Sequence, residues 1–210
     1  MKRGLIIDVS EKAGNSLILF TLWLLGVLNR YKIFDTLCIG VVSGVVALCL
    51  LDVRAFFAGV LFYEIFLFSI AFHEACHMKC GMLFGNPSTR IMLIPTEFGL
   101  RTGFDKRKQM TELEFAVVLF AGPMTPLLVS LPILLVLFAL NQNIFFLIIL
   151  ILFVFINLMS ILPLKGSDGM RVIKYIKKNK ANIKRFLVTY FIFLLWNFKI
   201  MQMDVGKNDI

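Results

Sequence analysis

The chain of 210 residues contains two histidines, four positions apart in His73-Glu74-Ala75-Cys76-His77. Residues at that interval share one face of an α-helix, so both imidazoles can reach a single Zn²⁺ while Glu74 reaches a water at the metal as general base. That is metallohydrolase chemistry. The bland reading is a pair of histidines at a helix end with no ion between them. It is costly here, because the motif follows the mostly apolar stretch Val53–Phe72 and polar groups without partners are expensive in lipid.

Catalytic zinc takes three protein ligands and leaves the fourth position to water, so the chain must supply one more. Asp168 is the preferred candidate. It ends a later apolar segment on the same predicted side as the histidines, and Gly169 beside it lets the backbone approach a neighbour closely. Its competing role is a helix cap ahead of Met170, which Ser167 could fill equally. Glu97 is the second candidate, twenty residues after His77, close to the spacing at which thermolysin-like enzymes return a glutamate ligand. Pro95 and Gly99 argue for extended chain there rather than the helix such a ligand needs. Cys80 is the third. It shares the histidines' face but lies about 10 Å further along the axis than His73, which strains a tetrahedral site.

The elements that must hold these residues are membrane helices. The chain is 59% hydrophobic and 17% charged, whereas a soluble domain is about 45–50% apolar. Apolar blocks at Leu17–Leu28, Thr36–Leu51, Val53–Phe72, Phe115–Leu140, from Ile144 onward and at Phe186–Met201 predict an all-α polytopic membrane protein with five or six transmembrane helices. Short connections make it a single domain over residues 1–210, with the catalytic core about 53–176. Leu17–Leu28 is too short to decide whether it spans. Glu64 lies nine residues before His73, about half a turn out of phase, so it points away from the metal and pairs with a polar group on another helix.

Between Lys79 and Met110 glycines and prolines break the helical pattern, and Arg90–Ile94 favours extended structure. A short β-strand or hairpin at the membrane boundary is expected, whose free edge could take a substrate as an added strand beside the metal. Ala121-Gly122-Pro123, with Pro126 and Pro132 following, predicts close packing and a kink in the next span. Residues 165–185 hold eight Lys or Arg and read as a surface helix on an anionic leaflet.

The formal charge of +9 comes from residues flanking the spans, so the expected partners are the lipid bilayer and a membrane peptide or transmembrane protein substrate, and no nucleic acid is expected. Cys38, Cys49, Cys76 and Cys80 lie in or near apolar segments and read as small buried hydrophobes rather than a disulfide framework. No small-residue cleavage site follows the basic N-terminal residues, so a cleaved leader is not expected. With six spans, 16 basic residues fall on the side of the histidines and 6 on the other; with five, the split is 19 against 3. Either way the positive side, with the site, is cytoplasmic and the protein is a multi-pass protein of the cell membrane.

Three features in order resemble one family: His73-Glu74-Ala75-Cys76-His77 at a membrane helix end, Phe120-Ala121-Gly122-Pro123 in the next apolar segment, and Asn157-Leu158 followed by Pro163-Leu164 and Asp168-Gly169. The chain resembles the site-2 proteases, intramembrane zinc metalloproteases, and its small size is similar to that of small bacterial members. The resemblance covers about Glu64 to Arg171 and implies a three-helix catalytic core. It implies one zinc per chain on His73, His77 and Asp168, Glu74 as the base, and cleavage of a peptide bond at or within the membrane. Two departures stand out: Pro126 replaces the Asn common three residues after Ala-Gly-Pro, and the Asn157-to-Asp168 interval is lengthened by Lys165-Gly166-Ser167. A non-catalytic zinc-binding membrane protein, either a degenerate protease or a metal handler, is the competing class. The intact Glu74 speaks against it, since a pure binding site needs ligands but no base.

Overall fold

The computed structural model describes residues 5–9, 16–86, 90–93, 100–103, 110–140, 144–164, 166–179 and 182–197. Among them are seven helices: α1 (Leu17–Tyr31), α2 (Ile33–Leu50), α3 (Val53–Leu83), α4 (Glu112–Ala139), α5 (Ile144–Ile161), α6 (Asp168–Lys178) and α7 (Ile183–Asn197). α2, α3 and α4 are long and apolar enough to cross a membrane, and α1 and the stretch Leu150–Ile161 are shorter apolar helices.

α3 is the axis of the fold. Its 31 residues make a rod of about 46 Å, longer than a bilayer's hydrocarbon core of about 30 Å. Asp52 caps its start by accepting the Arg54 N–H at 2.9 Å. Gly81 does not end it, contrary to the expectation from sequence. The helix runs on to Leu83 and closes at Gly85, whose φ of +67° suits a residue without a side chain.

If the first two apolar blocks both span, residues 29–35 would be the connection between them. Only Lys32 separates α1 from α2, and its N–H still bonds the Leu28 carbonyl at 2.7 Å, so helical bonding persists through the polar run. Contacts with α3 show what this makes. Lys79 Nζ lies over the Phe20 ring, Asn29 bonds Glu64, Ser43 crowds Gly59 and Phe56 touches the Cβ position of Gly44. Advancing along α1 and α2 retreats along α3, so the two form one interrupted rod antiparallel to it. Leu51, at φ 51°, makes the tight reversal at the tip. The expected partner for Glu64 is Asn29, whose Nδ2 donates to the carboxylate at 2.9 Å. An interhelical bond of this kind contributes about 0.6–1.7 kcal/mol in lipid.

The strand expected over Arg90–Ile94 is present as β2 (Arg90–Leu93), paired antiparallel with β3 (Leu100–Gly103). A strand the sequence reading did not include, β1 (Leu5–Asp8), pairs antiparallel with the opposite edge of β2. β2 is therefore the middle strand, and its edge is not free for a substrate. The pairing also holds the segment ahead of α1 at the same end of the bundle as the connection after α3, as a five-span arrangement requires. Arg30 and Lys32 then lie along the rod rather than in a connection, and removing both from the positive side leaves the sign of the charge asymmetry unchanged.

Two packed clusters flank the second half of α3. On one side Leu17, Phe20, Leu24 and Leu28 of α1 meet Ala71, Phe72, Ala75 and Met78. On the other, Val117, Val118 and Ala121 of α4 and Phe186, Tyr190 and Phe193 of α7 enclose Cys80. Lipid tails are as apolar as leucine, so shape complementarity at small residues rather than expulsion of water holds these helices together. α4 stays helical across Pro123, Pro126 and Pro132.

Candidate metal centre

His73 and His77 project from the buried half of α3, as their spacing requires. Their Nε2 atoms are 3.0 Å apart. Asp168, at the first turn of α6, brings Oδ2 to 3.1 Å from His73 Nε2 and 3.2 Å from His77 Nε2. Three Lewis-basic atoms thus form a nearly equilateral triangle across 95 residues of sequence.

What lies behind each ring fixes which nitrogen faces the triangle. His77 Nδ1 is 2.7 Å from the Val118 carbonyl, an acceptor only, so Nδ1 carries the proton and Nε2 offers a lone pair. Asn157 does the same for His73 from α5. Its Nδ2 donates to Ser69 Oγ and to the Phe153 carbonyl, each at 2.9 Å. That orients Oδ1 toward His73 Nδ1 at 3.4 Å and leaves His73 Nε2 for the triangle. Asn157 is fully enclosed, so its amide cannot turn without losing both donors' partners.

Two glycines permit the approach. A Cβ on Gly122 of α4 would collide with the His77 ring, and one on Gly169 of α6 would collide with the Ile161 carbonyl. Gly122 thereby lets α4 stand close enough for Val118 to hold His77, and Gly169 seats α6 on the end of α5. Ser167 takes the cap, accepting the Met170 N–H at 3.2 Å while its hydroxyl reaches the carbonyls of Leu162 and Leu164. That leaves the Asp168 side chain to the imidazoles.

The donor set fits a small divalent cation. Ligands of a tetrahedral zinc at about 2.0–2.1 Å stand roughly 3.3 Å from one another, and the triangle edges of 3.0, 3.1 and 3.2 Å come within a few tenths of that. Lone pairs and a carboxylate converging this closely repel unless a cation or proton lies between them. Glu74 is the second carboxylate nearby. His73, Glu74 and His77 form a group whose potential ligand atoms lie within 4.8 Å of one another, and the Glu74 Oε2 atom is enclosed. Asp168 approaches both Nε2 atoms within 3.2 Å, which suits a ligand. The rival ligands fare differently. Cys80 packs into the cluster with α4 and α7 rather than toward the triangle, and Glu97 lies outside the described residues.

Sequence reasoning gave Asn157, Val118 and Gly122 no part in holding the imidazoles. Asn157 and Gly122 carried a signal as motif positions. Val118 could carry none, because it acts through its main-chain carbonyl.

A family described as Peptidase M50B-like matches residues 41–166, more than half of the chain and all of the site except Ser167, Asp168 and Gly169. No curated protein and no solved structure matches. Together with the long apolar helices, the match points to a membrane metallopeptidase.

Proposed function

The chain belongs to the Peptidase M50B-like family, and from that premise we propose that it is an intramembrane zinc metallopeptidase. It would hydrolyse a peptide bond of a membrane-associated peptide or single-span protein. The observation that carries the reading is the triangle of His73 Nε2, His77 Nε2 and Asp168 Oδ2, with Glu74 beside it. His73, His77 and Asp168 would hold the metal, one ion per chain.

A bound Zn²⁺ supplies a Lewis acid for the scissile carbonyl and lowers the pKa of water toward neutrality. Glu74 accepts a proton from the attacking water and returns one to the leaving amine, so the carboxylate ends the cycle as it began. Val118 and Asn157 keep both ring protons pointed away from the reacting side. β3 packs against α3 and has one edge without a strand partner among the described residues. That edge, rather than β2's, is where an extended substrate would add a strand. The end of the bundle bearing β1, β2, β3 and α6 faces the cytoplasm, in keeping with the excess of basic residues there.

The test compares Glu74→Gln with Asp168→Ala, purified in detergent and assayed for zinc per molecule and for cleavage of a single-span peptide in liposomes. Glu74→Gln should keep its zinc and lose about 10²–10⁴-fold in rate. Asp168→Ala should lose the zinc. Full cleavage by Glu74→Gln overturns its role as base, and zinc retained by Asp168→Ala but lost from Glu97→Ala moves the third ligand to Glu97. Stoichiometric zinc in the wild type with no turnover of any membrane peptide favours the non-catalytic class.

A further inference from the structure

A second site lies one turn beyond Asp168. Arg171, Lys174 and Lys178 follow one another at intervals of three and four along α6 and so share a face, which borders a cavity of about 220 Å³ between α6 and the start of α4. The far wall is apolar: Phe115, 40% exposed, and Leu119 lie one and two turns into the membrane helix. Glu112 is the acid at the cavity's rim, and Lys178 neutralises it at 2.6 Å. Arg171 and Lys174 have no acidic partner among the described residues.

We propose that this groove binds one anionic phospholipid, its phosphate between Arg171 and Lys174 and the upper part of an acyl chain along Phe115 and Leu119. Charge complementarity and depth select this occupant. Two uncompensated cations stand where a helix emerges from the bilayer, above an apolar furrow that runs back into it. A soluble anion would use the cations but leave the furrow empty. A zwitterionic lipid would fill the furrow but bring its own cation to a positive rim. The lipid would also strap α6 to α4. Any effect on Asp168 rests on the metal reading above, whereas the binding itself does not.

The experiment measures lipid retention. Delipidated protein is offered equal amounts of phosphatidylglycerol and phosphatidylcholine in mixed micelles, and the bound lipid is counted by native mass spectrometry. Wild type should retain one phosphatidylglycerol with about tenfold preference, since each basic residue near the surface favours an anionic lipid several-fold. Arg171→Gln with Lys174→Gln should remove the preference. Lys184→Gln with Arg185→Gln, which neutralises two exposed cations outside the groove, should leave it intact. Equal loss in both variants reduces the effect to diffuse surface charge and overturns the site. Displacement of the lipid by millimolar inorganic phosphate assigns the cations to a soluble anion and overturns the lipid.

Discussion

Residues 53–66 and 67–83 belong to one helix, yet every residue that α3 buries fully lies from Leu67 onward. In the first half Val53 and Phe57 are about two-thirds exposed to what is lipid in the membrane, and α2 covers one side. In the second half α1, α4, α5 and α7 close around the motif. The half that is less buried is the more apolar, with 11 hydrophobic residues of 14 against 11 of 17, and each contains a glycine at a close helix approach or faces one: Gly59 meets Ser43, and His77 meets Gly122. The difference is in what the approach holds. In the first half a serine hydroxymethyl can turn aside, and the contact sets only helix spacing. In the second a ring with both nitrogens committed cannot move without giving up a partner. One rod thus lies exposed along half its length and along the rest carries His73 and His77 of the candidate metal centre.

Gly122→Ala should break the second half most severely. The added methyl displaces His77 from the Val118 carbonyl, and zinc affinity measured by competition with a chromophoric chelator should fall about 10–100-fold, as when outer partners of ligands are lost. Unchanged affinity would mean that α4 does not position the ring. Asn157→Ala frees the opposite ring and leaves Ser69 without its donor, and affinity should fall about tenfold. A fall greater than that caused by Gly122→Ala would reverse the ranking of the two supports. Asn29→Ala sharpens the contrast from the first half. It removes the bond to Glu64 at a cost of about 1 kcal/mol in unfolding free energy, while zinc content and affinity stay at wild-type values. Loss of zinc in Asn29→Ala would show that the halves are not independent.

How much of this the residues announced follows the same division. His73, Glu74 and His77 were legible because helical periodicity alone brings them together, and Glu64 was assigned a partner on another helix from its phase. Asp168 was singled out as the acid at the end of an apolar run beside a glycine; the structure gives the competing cap to Ser167 and sets the Asp168 carboxylate within 3.2 Å of both imidazoles. The rod of α1 and α2 was not legible, because the polar run Asn29–Asp35 looks like a loop, and only contact with α3 reveals that the helix continues. β1 was not legible either. Four residues are too few for a periodic signal, and the strand exists through its pairing with residues 90–93. Gly81 looked like a helix end, but a glycine enclosed between packed helices has neighbours that keep it helical.

The pairing of β1 with β2 has a consequence for how the molecule is made. The segment leading into α1 and the one leaving α3 are stitched together on a single face, so α1, α2 and α3 form a hairpin whose two ends meet. Its tip, Leu51-Asp52-Val53, lies at the opposite end and carries a single acid with Arg54 just behind. The stitch itself must wait until residues 90–93 have been synthesised, so the two ends of this hairpin are joined only after all three of its helices exist.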